Sequence, residues 1–457
     1  MKTDTIAAIA TAMSSSGIGI IRISGEEAFA ILRQIFRGKN HKTIETLESH
    51  TVHYGHIYDG DDMMDEVLVL VMKGPHSYTA EDTVEIDCHG GVLMMKKILE
   101  TVIKYGARPA EPGEFTKRAF LNGRIDLSQA EAVMDVIHAK NEYALKSSMK
   151  QLNGSILNQI RVLRKQILYE IAYIESALDD PEHISLDGYA DKLLINLKAM
   201  TKSVEKLLAS ADHGRVMTEG IKTVILGKPN AGKSSLMNVL VGEERAIVTE
   251  VAGTTRDTLE EHIHLQGISL NVLYTAGIRD TEDVVEKIGV AKAKRVADEA
   301  DLIIYVVDAS IPLDDNDEAI IGIIHDKKAI VLLNKTDLTM AVTEEALKVK
   351  TGLDVISISA REETGIEALE EKIKAMFYGG DLDFNDEIVI TNVRHKAALE
   401  ESRSSLHMVE QSVLDGMPED FYSIDLMNAY EQLGSIIGEA VGEDLVNEIF
   451  SKFCMGK

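Results

Sequence analysis

Residues 227–234 constrain the fold more than any other part of the chain, because they read GKPNAGKS and fit the phosphate-loop pattern GxxxxGK(S/T). An apolar run at 223–226 precedes the loop, as a strand would, and residues 235–240 follow it, as a helix would. Glycines let backbone amides close around a polyphosphate, and the helix N-terminus adds positive potential. The pattern therefore predicts a P-loop nucleotide site in which Lys233 reaches the outer phosphates and the Ser234 hydroxyl ligates magnesium.

A second pair of segments selects the base. Residues 334–337 read NKTD after the apolar run 330–333, and they fit the pattern NKxD. The Asp337 carboxylate can accept hydrogen bonds from guanine N1–H and from the 2-amino group, whereas adenine presents no such edge. The strand-like run 356–358 leads to Ser-Ala-Arg at 359–361, whose backbone can meet guanine O6. Together the two segments predict that the nucleotide is GTP.

Two further segments lie between the phosphate loop and NKxD, in the order that a GTPase requires. Residues 253–257 read GTTRD, and Thr255 is placed to ligate magnesium and to sense the γ-phosphate. The strand-like run 270–273 then leads to Tyr274 and to Thr-Ala-Gly at 275–277. Five motifs thus follow one another, each at the carboxyl end of a strand, where open α/β sheets bind ligands. We expect a Ras-like P-loop GTPase domain here.

Composition limits the class of protein. The 457 residues predict two to four domains, and 45% of them are hydrophobic, which is enough for proper cores. Two cysteines, Cys88 and Cys454, are too few for a disulfide framework, so we expect a reducing, cytoplasmic environment. The sequence has neither a long apolar run nor a basic-then-apolar N-terminal segment. We therefore expect a soluble, untargeted protein that does not contact a membrane.

The chain is strongly acidic, with 48 Lys and Arg against 75 Asp and Glu and a net charge of −27. Such a charge excludes a protein that coats RNA in bulk. If the chain acts on nucleic acid, it needs a local basic site or a basic partner.

Changes of pattern along the chain predict a multidomain α/β plus α protein. Residues 1–118 alternate strand-like runs, at 18–23, 51–58, 67–72 and 83–87, with a helical run at 92–105. The segments on either side of the GTPase motifs have helical spacing instead, which indicates a GTPase domain inserted into a helical domain. The apolar positions of the first helical segment are Ile156, Ile160, Leu163, Ile167, Ile171 and Ile174, and those of the second are Leu426, Ala429, Leu433, Ile437 and Ala440.

Over its whole length the sequence resembles the MnmE family of tRNA-modification GTPases, also called TrmE. The resemblance rests on GIIRISG at 19–25, on PGEFTKRAFLNG at 112–123, on the GTPase motifs and on FCMGK at 453–457. It implies a tetrahydrofolate-binding and dimerisation domain with an α/β fold at 1–118. It also implies a helical domain in two parts and an inserted GTPase domain, with boundaries at 119–215, 216–380 and 381–457.

The resemblance also implies a function and partners. Members of the family act on tRNA as homodimers, together with MnmG, a flavin-dependent FAD protein, in a heterotetramer or larger assembly. They install a carboxymethylaminomethyl or aminomethyl group at C5 of the wobble uridine, and a folate carries the one-carbon unit. We expect GTP as substrate, with K+, Mg2+ and 5-formyltetrahydrofolate, or a related one-carbon folate, as cofactors. The expected GTP-binding residues are Asn230, Ala231, Gly232, Lys233, Ser234, Ser235, Thr249, Glu250, Val251, Ala252, Gly253, Thr254, Thr255, Thr275, Ala276, Gly277, Asn334, Lys335, Asp337, Ser359, Ala360 and Arg361.

Catalysis is expected to differ from that of Ras. Ras-like enzymes orient the attacking water with a glutamine, and the corresponding residue here is Ile278, which can orient nothing. The resemblance implies Glu286 as the water-orienting acid, although without it Glu286 would be an ordinary residue of a surface helix. It also implies a potassium ion between the β- and γ-phosphates, where Asn230 taken alone would equally fit a turn. The implied potassium ligands are Asn230, Thr249, Val251 and Thr254, and the implied magnesium ligands are Ser234 and Thr255.

One position departs from the family pattern. Members carry an aspartate before Thr-Ala-Gly that binds magnesium through water, and this chain has Tyr274. A phenol stays neutral near pH 7 and is a poor ligand for magnesium. The substitution places magnesium affinity in question but does not affect guanine recognition.

The expected folate site depends on the resemblance alone. Its residues are Arg22, Glu85, Arg124 and Lys457, of which the first two would otherwise be ordinary charges at strand edges. A carboxylate suits the amide and amine edge of a pterin, and cations suit the glutamate tail. Cys454 fits a functional thiol beside this site or a plain buried cysteine equally well.

Two other functions remain open from sequence. A GTP-switched RNA-binding or ribosome-assembly factor would share the GTPase motifs, but it would need a basic RNA-binding domain, and no such module is seen. A nearly inactive scaffold is consistent with Tyr274.

Overall fold

A computed structural model describes residues 4–38, 44–242, 259–265, 268–274, 294–378, 388–439, 442–451, 453 and 456. The chain forms two compact units, each made of more than one segment. The first contains residues 1–137, 150–200 and 401–457, and the second contains 138–149 and 201–400.

A mostly antiparallel sheet begins the first unit. Its strands are β1 (Ile6–Ile9), β2 (Ile18–Ser24), β3 (Phe36–Gly38), β4 (Thr51–Asp59), β5 (Asp62–Met72), β6 (Thr83–His89) and β7 (Arg108–Pro109). They lie in the order β3-β4-β5-β6-β2-β1-β7, and neighbours are antiparallel except β1 and β7. In β5 the side chains of Val67, Val69 and Val71 are buried while Leu68 between them is exposed, as expected for a sheet with one covered face.

Two helices cover the buried face of this sheet. They are α1 (Ala28–Ile35) and α2 (Val92–Lys104). Leu32 and Ile35 of α1 and Ile98 and Val102 of α2 are fully buried against the strand residues, because apolar positions recur at helical spacing in both segments. The predicted helix at 92–105 is confirmed, whereas α1 has no counterpart among the predicted elements.

Helices dominate the chain from residue 114 to residue 219. They are α3 (Glu114–Leu121), α4 (Leu127–His138), α5 (Glu142–Leu152), α6 (Ser155–Asp179) and α7 (Tyr189–Glu219). The apolar stripe predicted on α6 is confirmed, since all six of its residues are buried. Glu170 is also buried on α6, where its carboxylate accepts hydrogen bonds from Tyr189 Oη at 2.6 Å and from Asn196 Nδ2 at 2.8 Å.

The second sheet lies in the second unit and contains the strands that precede the phosphate loop and NKxD. In chain order its strands and the helices around it are β8 (Ile221–Leu226), α8 (Lys233–Val241), β9 (Leu259–Leu265), β10 (Ile268–Tyr274), β11 (Leu302–Asp308), α9 (Asp315–Ile324), β12 (Ala329–Asn334), α10 (Glu344–Thr351), β13 (Val355–Ser357) and α11 (Ile366–Tyr378). The strand order is β13-β12-β11-β8-β10-β9, with β9 and β10 as an antiparallel hairpin and the other neighbours parallel. Every residue of β11 and β12 is buried, as expected for parallel strands covered on both faces.

The remaining helices follow this sheet and its helices in the chain. They are α12 (Val393–Leu414), α13 (Asp420–Ile437) and α14 (Glu443–Ser451). The stripe predicted on α13 is buried at Leu426, Ala429, Leu433 and Ile437, while Ala440 lies outside the described residues. Arg164 of α6 reaches α13, where it stacks 3.9 Å from the centre of the Tyr430 ring.

Within the second unit, the later part of α7 contacts the segment that precedes α12. Ser210 of α7 accepts a hydrogen bond from Ile390 N at 3.1 Å, and a Cβ at Gly214 would lie only 2.0 Å from Ile390 O. Glycine is therefore required at this crossing, because any side chain would push the returning segment away. In the part of the chain that the structure describes, no helix is both long and apolar enough to cross a membrane.

Candidate functional site: a guanine-nucleotide site

The phosphate loop connects β8 to α8 in a conformation that needs its glycines. Gly227 and Gly232 have φ angles of 150° and 100°, which L side chains rarely adopt. A Cβ at Gly227 would lie 2.4 Å from Val306 O, and one at Gly232 would lie 2.1 Å from Asn334 Nδ2. Asn230 is exposed and left-handed, with φ of 61°. The loop is thus shaped by close backbone approach, as the sequence pattern predicts.

Lys233 begins α8 directly after the loop. Its Nζ donates hydrogen bonds to Gly227 O at 2.7 Å and to Lys228 O at 2.6 Å. Burial lowers the pKa of the Lys233 ammonium. A compact cation held at the mouth of a phosphate loop is suited to bind the outer phosphates of a nucleotide. Ser234 and Ser235, the next two residues, are exposed in the first turn of α8.

Asn334 links the phosphate loop to the motifs expected to hold the base. It is the last residue of β12 and is only 1% exposed. Its Nδ2 donates to Ala231 O at 2.9 Å in the phosphate loop, and its Oδ1 accepts from Ala360 N at 3.1 Å. A carboxamide has a donor and an acceptor on one planar group, so it can bridge two loops that each present one backbone atom.

The two base-binding motifs also contact each other directly. Ser359 Oγ donates to Asp337 Oδ1 at 2.7 Å, and Thr336 Oγ1 donates to Ile358 O at 2.9 Å. The Asp337 carboxylate is thereby oriented while it remains half-buried. The side chain of Arg361 is exposed.

Lys335 is held by a carboxylate that no motif contains. It has φ of 65°, and its Nζ donates to Asp308 Oδ2 at 2.5 Å. Asp308 ends β11 and also accepts two hydrogen bonds from Ser310. Burial alone would raise the pKa of the Asp308 carboxyl, but the bonds from Lys335 and Ser310 lower it below its usual value. The carboxylate therefore stays ionised, and its contribution to stability is lost only as the pH falls through that lowered pKa.

In the first unit, two of the four residues expected to bind folate lie beside one aromatic ring, and a third is paired with one of them. Arg22 of β2 pairs with Glu85 of β6 at 2.7 Å, because the two are direct partners across the strands. The guanidinium carbons of Arg22 and Arg124 lie 5.6 Å and 4.9 Å from the centre of the Tyr78 ring. The main chain near the end of the protein reaches the same place, since Arg22 donates to Gly456 O at 3.1 Å. Two cations, a carboxylate and an aromatic face suit a planar heterocycle with an acidic tail.

Some predicted residues cannot be assigned a place. Tyr274 ends β10, and nothing is described of its side chain. Among the described residues, no group of three or more His, Cys, Asp or Glu side chains is arranged to hold a metal ion. The predicted residues outside the described part of the chain are Thr249, Glu250, Val251, Ala252, Gly253, Thr254, Thr255, Thr275, Ala276, Gly277, Ile278, Glu286, Cys454 and Lys457.

Sequence reasoning missed two residues of these sites. Asp308 could have been found, because it directly follows the hydrophobic run 302–307 and ends its strand at the carboxyl edge of the sheet, where ligands bind. Tyr78 gave no such signal, since it lies in the connection between β5 and β6, outside any periodic run.

The fold and the site define a P-loop GTPase. A phosphate loop and NKxD follow parallel strands of one sheet, and a single buried asparagine bonds the loop to both base-side segments. This arrangement holds the phosphate loop and the segment at 359–361 in a fixed relation to each other.

Comparisons with known proteins identify the kind of GTPase. Residues 127–454 match the family model described as the MnmE helical domain, and residues 5–124 match the one described as the GTP-binding protein TrmE N-terminus. The chain is 60% identical to a tRNA modification GTPase MnmE from Lachnoclostridium phytofermentans, over 100% of both chains. It is 48% identical to the protein of that name from Alkaliphilus metalliredigens and 49% identical to the one from Clostridioides difficile, over 99% of each chain.

The chain therefore belongs to the MnmE family of tRNA modification GTPases, and it is a GTP-hydrolysing enzyme. The predicted fold class is confirmed: an N-terminal α/β domain, a helical domain and an inserted Ras-like P-loop GTPase domain.

We predict that Gly232→Ala weakens GTP binding by roughly 10- to 100-fold. The new methyl group would displace Asn334 Nδ2, and a lost buried hydrogen bond costs about 1–3 kcal/mol. Binding is measured by titration with a fluorescent GTP analogue. Gly322→Ala in α9 is the matched control, because no atom lies within 4 Å of its Cβ. Equal affinity of Gly232→Ala and the wild type would show that Asn334 does not hold the loop.

We predict that Asp337→Asn shifts base preference from GTP toward xanthosine triphosphate. An amide can donate to the 2-oxo group of xanthine but cannot accept two bonds from guanine, a difference worth roughly 1–3 kcal/mol by analogy with bidentate base readout. Asparagine keeps an acceptor for Ser359 Oγ, so the loop should stay in place. Competition between the two triphosphates measures the preference. Unchanged preference for GTP in the variant would remove guanine recognition from this motif.

Proposed function

We propose that this protein is a potassium-dependent GTP hydrolase that works with a flavin-dependent partner of the MnmG type. Together they would add a carboxymethylaminomethyl or aminomethyl group at C5 of the wobble uridine of tRNA. The proposal is based mainly on the hydrogen bonds of Asn334 in a chain of this family. These bonds join the phosphate loop, the NKxD segment and the segment at 359–361, which together would bind GTP. The relatives' printed name, tRNA modification GTPase, supports the coarser function.

The proposed roles divide the GTP site into three parts. The phosphates are bound by residues 230–235, above all by Lys233. The base is bound by Asn334, Lys335 and Asp337 and by the backbone of 359–361. Residues 249–255 and 275–277 sense the γ-phosphate, and Glu286 orients the attacking water through its carboxylate. The described residues support the first two parts through the hydrogen bonds of Lys233, Asn334 and Ser359.

We propose two cations for this site. Ser234 and Thr255 would hold Mg2+, and Asn230, Thr249, Val251 and Thr254 would hold K+. The described members fit these roles, because Ser234 is an exposed residue in the first turn of α8 and Asn230 is an exposed residue in a left-handed turn. When bound, the ions would neutralise charge that develops between the β- and γ-phosphates.

We propose that residues 1–118 bind 5-formyltetrahydrofolate or a related one-carbon folate and also dimerise. Arg22, Glu85 and Arg124 would bind the folate with Lys457. The positions of the two arginines beside Tyr78 and the pairing of Glu85 with Arg22 support this. The folate would supply the one-carbon unit. The proposed boundaries of the other domains are 119–215, 216–380 and 381–457.

We propose a cytoplasmic homodimer that binds the MnmG-type partner in a heterotetramer or larger assembly. The net charge of −27 supports a partner that contributes to tRNA binding, because an acidic chain binds tRNA poorly without a basic partner.

We predict that K+ accelerates GTP hydrolysis strongly and that Na+ does not. Asn230→Ala should abolish the effect of K+ and leave nucleotide affinity mostly intact, because the amide would bind the cation rather than the nucleotide. Turnover is measured at saturating GTP in matched K+ and Na+ buffers. Asn238→Ala, at an exposed position of α8, is the matched control. Equal rates of the wild type in the two salts would contradict the proposed potassium site.

We predict that this chain restores wobble-uridine modification in a bacterial strain that lacks its own family member. Arg22→Ala should keep full GTP hydrolysis but fail to restore modification, because it removes one cation from the proposed folate site. Arg33→Ala, an exposed residue of α1, should restore it. Mass spectrometry of tRNA nucleosides measures the outcome. If wild-type protein is expressed and hydrolyses GTP but leaves the uridine unmodified, the proposed reaction is wrong.

A further inference from the structure

A buried lysine lies inside the phosphate loop. Lys228 directly follows Gly227, and it is only 9% exposed, whereas its neighbours Pro229 and Asn230 are exposed. Lysine is rarely buried unless its ammonium is paired. The side chain must therefore have partners beneath the loop, and they come from elements distant in sequence.

The partners of Lys228 are two carboxylates at the N-terminus of α9. Its Nζ lies 2.7 Å from Asp317 Oδ2 and 3.0 Å from Asp314 Oδ2. Asp314 caps α9 by accepting hydrogen bonds from Asn316 N and Asp317 N. Asp317 completes the capping box, since its Oδ2 accepts from Asp314 N at 2.9 Å. The lysine thus joins a helix end that is already rigid.

Tyr305 connects the same carboxylate to the sheet. It is a fully buried residue of β11, and its Oη donates to Asp317 Oδ1 at 2.7 Å. Burial raises the pKa of the Tyr305 phenol, which therefore stays a neutral donor. Burial alone would lower the pKa of Lys228, but hydrogen bonds to Asp317 and Asp314 raise it overall, so the ammonium stays charged. Asp317, itself only 1% exposed, receives one bond each from β11, from α9 and from the loop.

The main chain of Lys228 holds the rest of the loop. Its carbonyl oxygen accepts from Ala231 N at 3.3 Å and from Lys233 Nζ at 2.6 Å. Gly227, Asn230 and Gly232 all have positive φ, and the loop has few other side chains that could anchor it. A displacement of Lys228 would therefore move both the loop backbone and the lysine expected to bind the outer phosphates.

We propose that Lys228 is a positioning residue for phosphate binding, which anchors the loop to α9 and β11 through Asp317 and Tyr305. This inference rests on the proposed role of residues 227–234 as the phosphate-binding loop for GTP. Lys228 touches no nucleotide in this role. It acts through its carbonyl oxygen, while its ammonium fixes where that oxygen lies. Loss of the ammonium leaves the buried carboxylate of Asp317 without its counter-charge, which forces a local rearrangement.

The test compares Lys228→Met, Lys228→Arg, Asp317→Asn and the double variant of Lys228→Met with Asp317→Asn. Affinity for a fluorescent GDP analogue is measured on the full chain in potassium-free buffer. Lys228→Met should lose about 10-fold or more, because small displacements of positioning groups have large effects. The loss should be the same for GDP and for inosine diphosphate, since the base-binding residues are untouched. Lys228→Arg should recover most of the affinity.

The double variant separates a specific tether from general damage. If Lys228 and Asp317 act as one unit, the double variant loses no more affinity than the worse single variant. Losses that add would overturn the proposal. GDP affinity of Lys228→Met equal to that of the wild type would also overturn it.

A matched control addresses the stability of α9. Lys350 of α10 pairs with Glu318, the residue next to Asp317 on α9, without contacting the phosphate loop. Lys350→Met should keep wild-type GDP affinity. If Lys350→Met loses as much affinity as Lys228→Met at equal melting temperature, the effect belongs to α9 and the proposal is wrong. Binding of GDP by the wild type tests the proposed nucleotide site separately, because failure to bind would contradict that site and not the role of Lys228. The response to potassium does not affect the comparison, since the buffer contains none.

Discussion

The nucleotide site depends on the buried carboxamide of Asn334. Its one planar group donates to the phosphate loop at Ala231 and accepts from the base-side loop at Ala360. An aspartate could not make both bonds, because an ionised carboxylate only accepts. The amide also requires glycine at position 232, because Asn334 Nδ2 lies only 2.1 Å from where a Cβ of that residue would be. Two loops more than a hundred residues apart in sequence therefore keep a fixed separation, which is what recognition of a whole nucleotide requires.

A second layer of polar contacts supports this bridge, and two residues of β11 take part in it. Tyr305 and Asp308 belong to β11, which carries none of the GTPase motifs. Tyr305 fixes the carboxylate that holds Lys228, and Asp308 holds Lys335. The strand can serve both ends of the site because it lies between β8 and β12 in the sheet. The motif residues touch the nucleotide in the proposed function, while the central strand determines where they are held.

Much of the fold could be predicted from the sequence, because the relevant signals are local. The stripe on α6 and the strands before the phosphate loop and before NKxD are patterns within a few turns or residues, and the structure agrees with them. The limits appear where pairing overrides pattern. Strand β5 begins at Asp62 rather than at the apolar residue 67, because it forms a hairpin with β4 and ladder bonds continue through polar residues. The short strand β3 carries no alternating pattern and is defined by its partner alone.

The polar partners could not be predicted, for a different physical reason. Lys228 and Asp314 are 86 residues apart, and no periodicity encodes such a contact. From its neighbours in sequence, a lysine between glycine and proline would be predicted to be an exposed cation. In the structure the surrounding elements bury Lys228, and its ammonium pairs with carboxylates that hold the loop. Strand order supplies the missing information. Because β11 and β8 are neighbouring parallel strands, the phosphate loop that follows β8 lies beside the segment that leads from β11 to α9. Buried ion pairs between the loops that follow parallel strands can therefore be predicted only when the strand order is known. Once it is known, the acidic residues that cap α9 are the expected partners of Lys228.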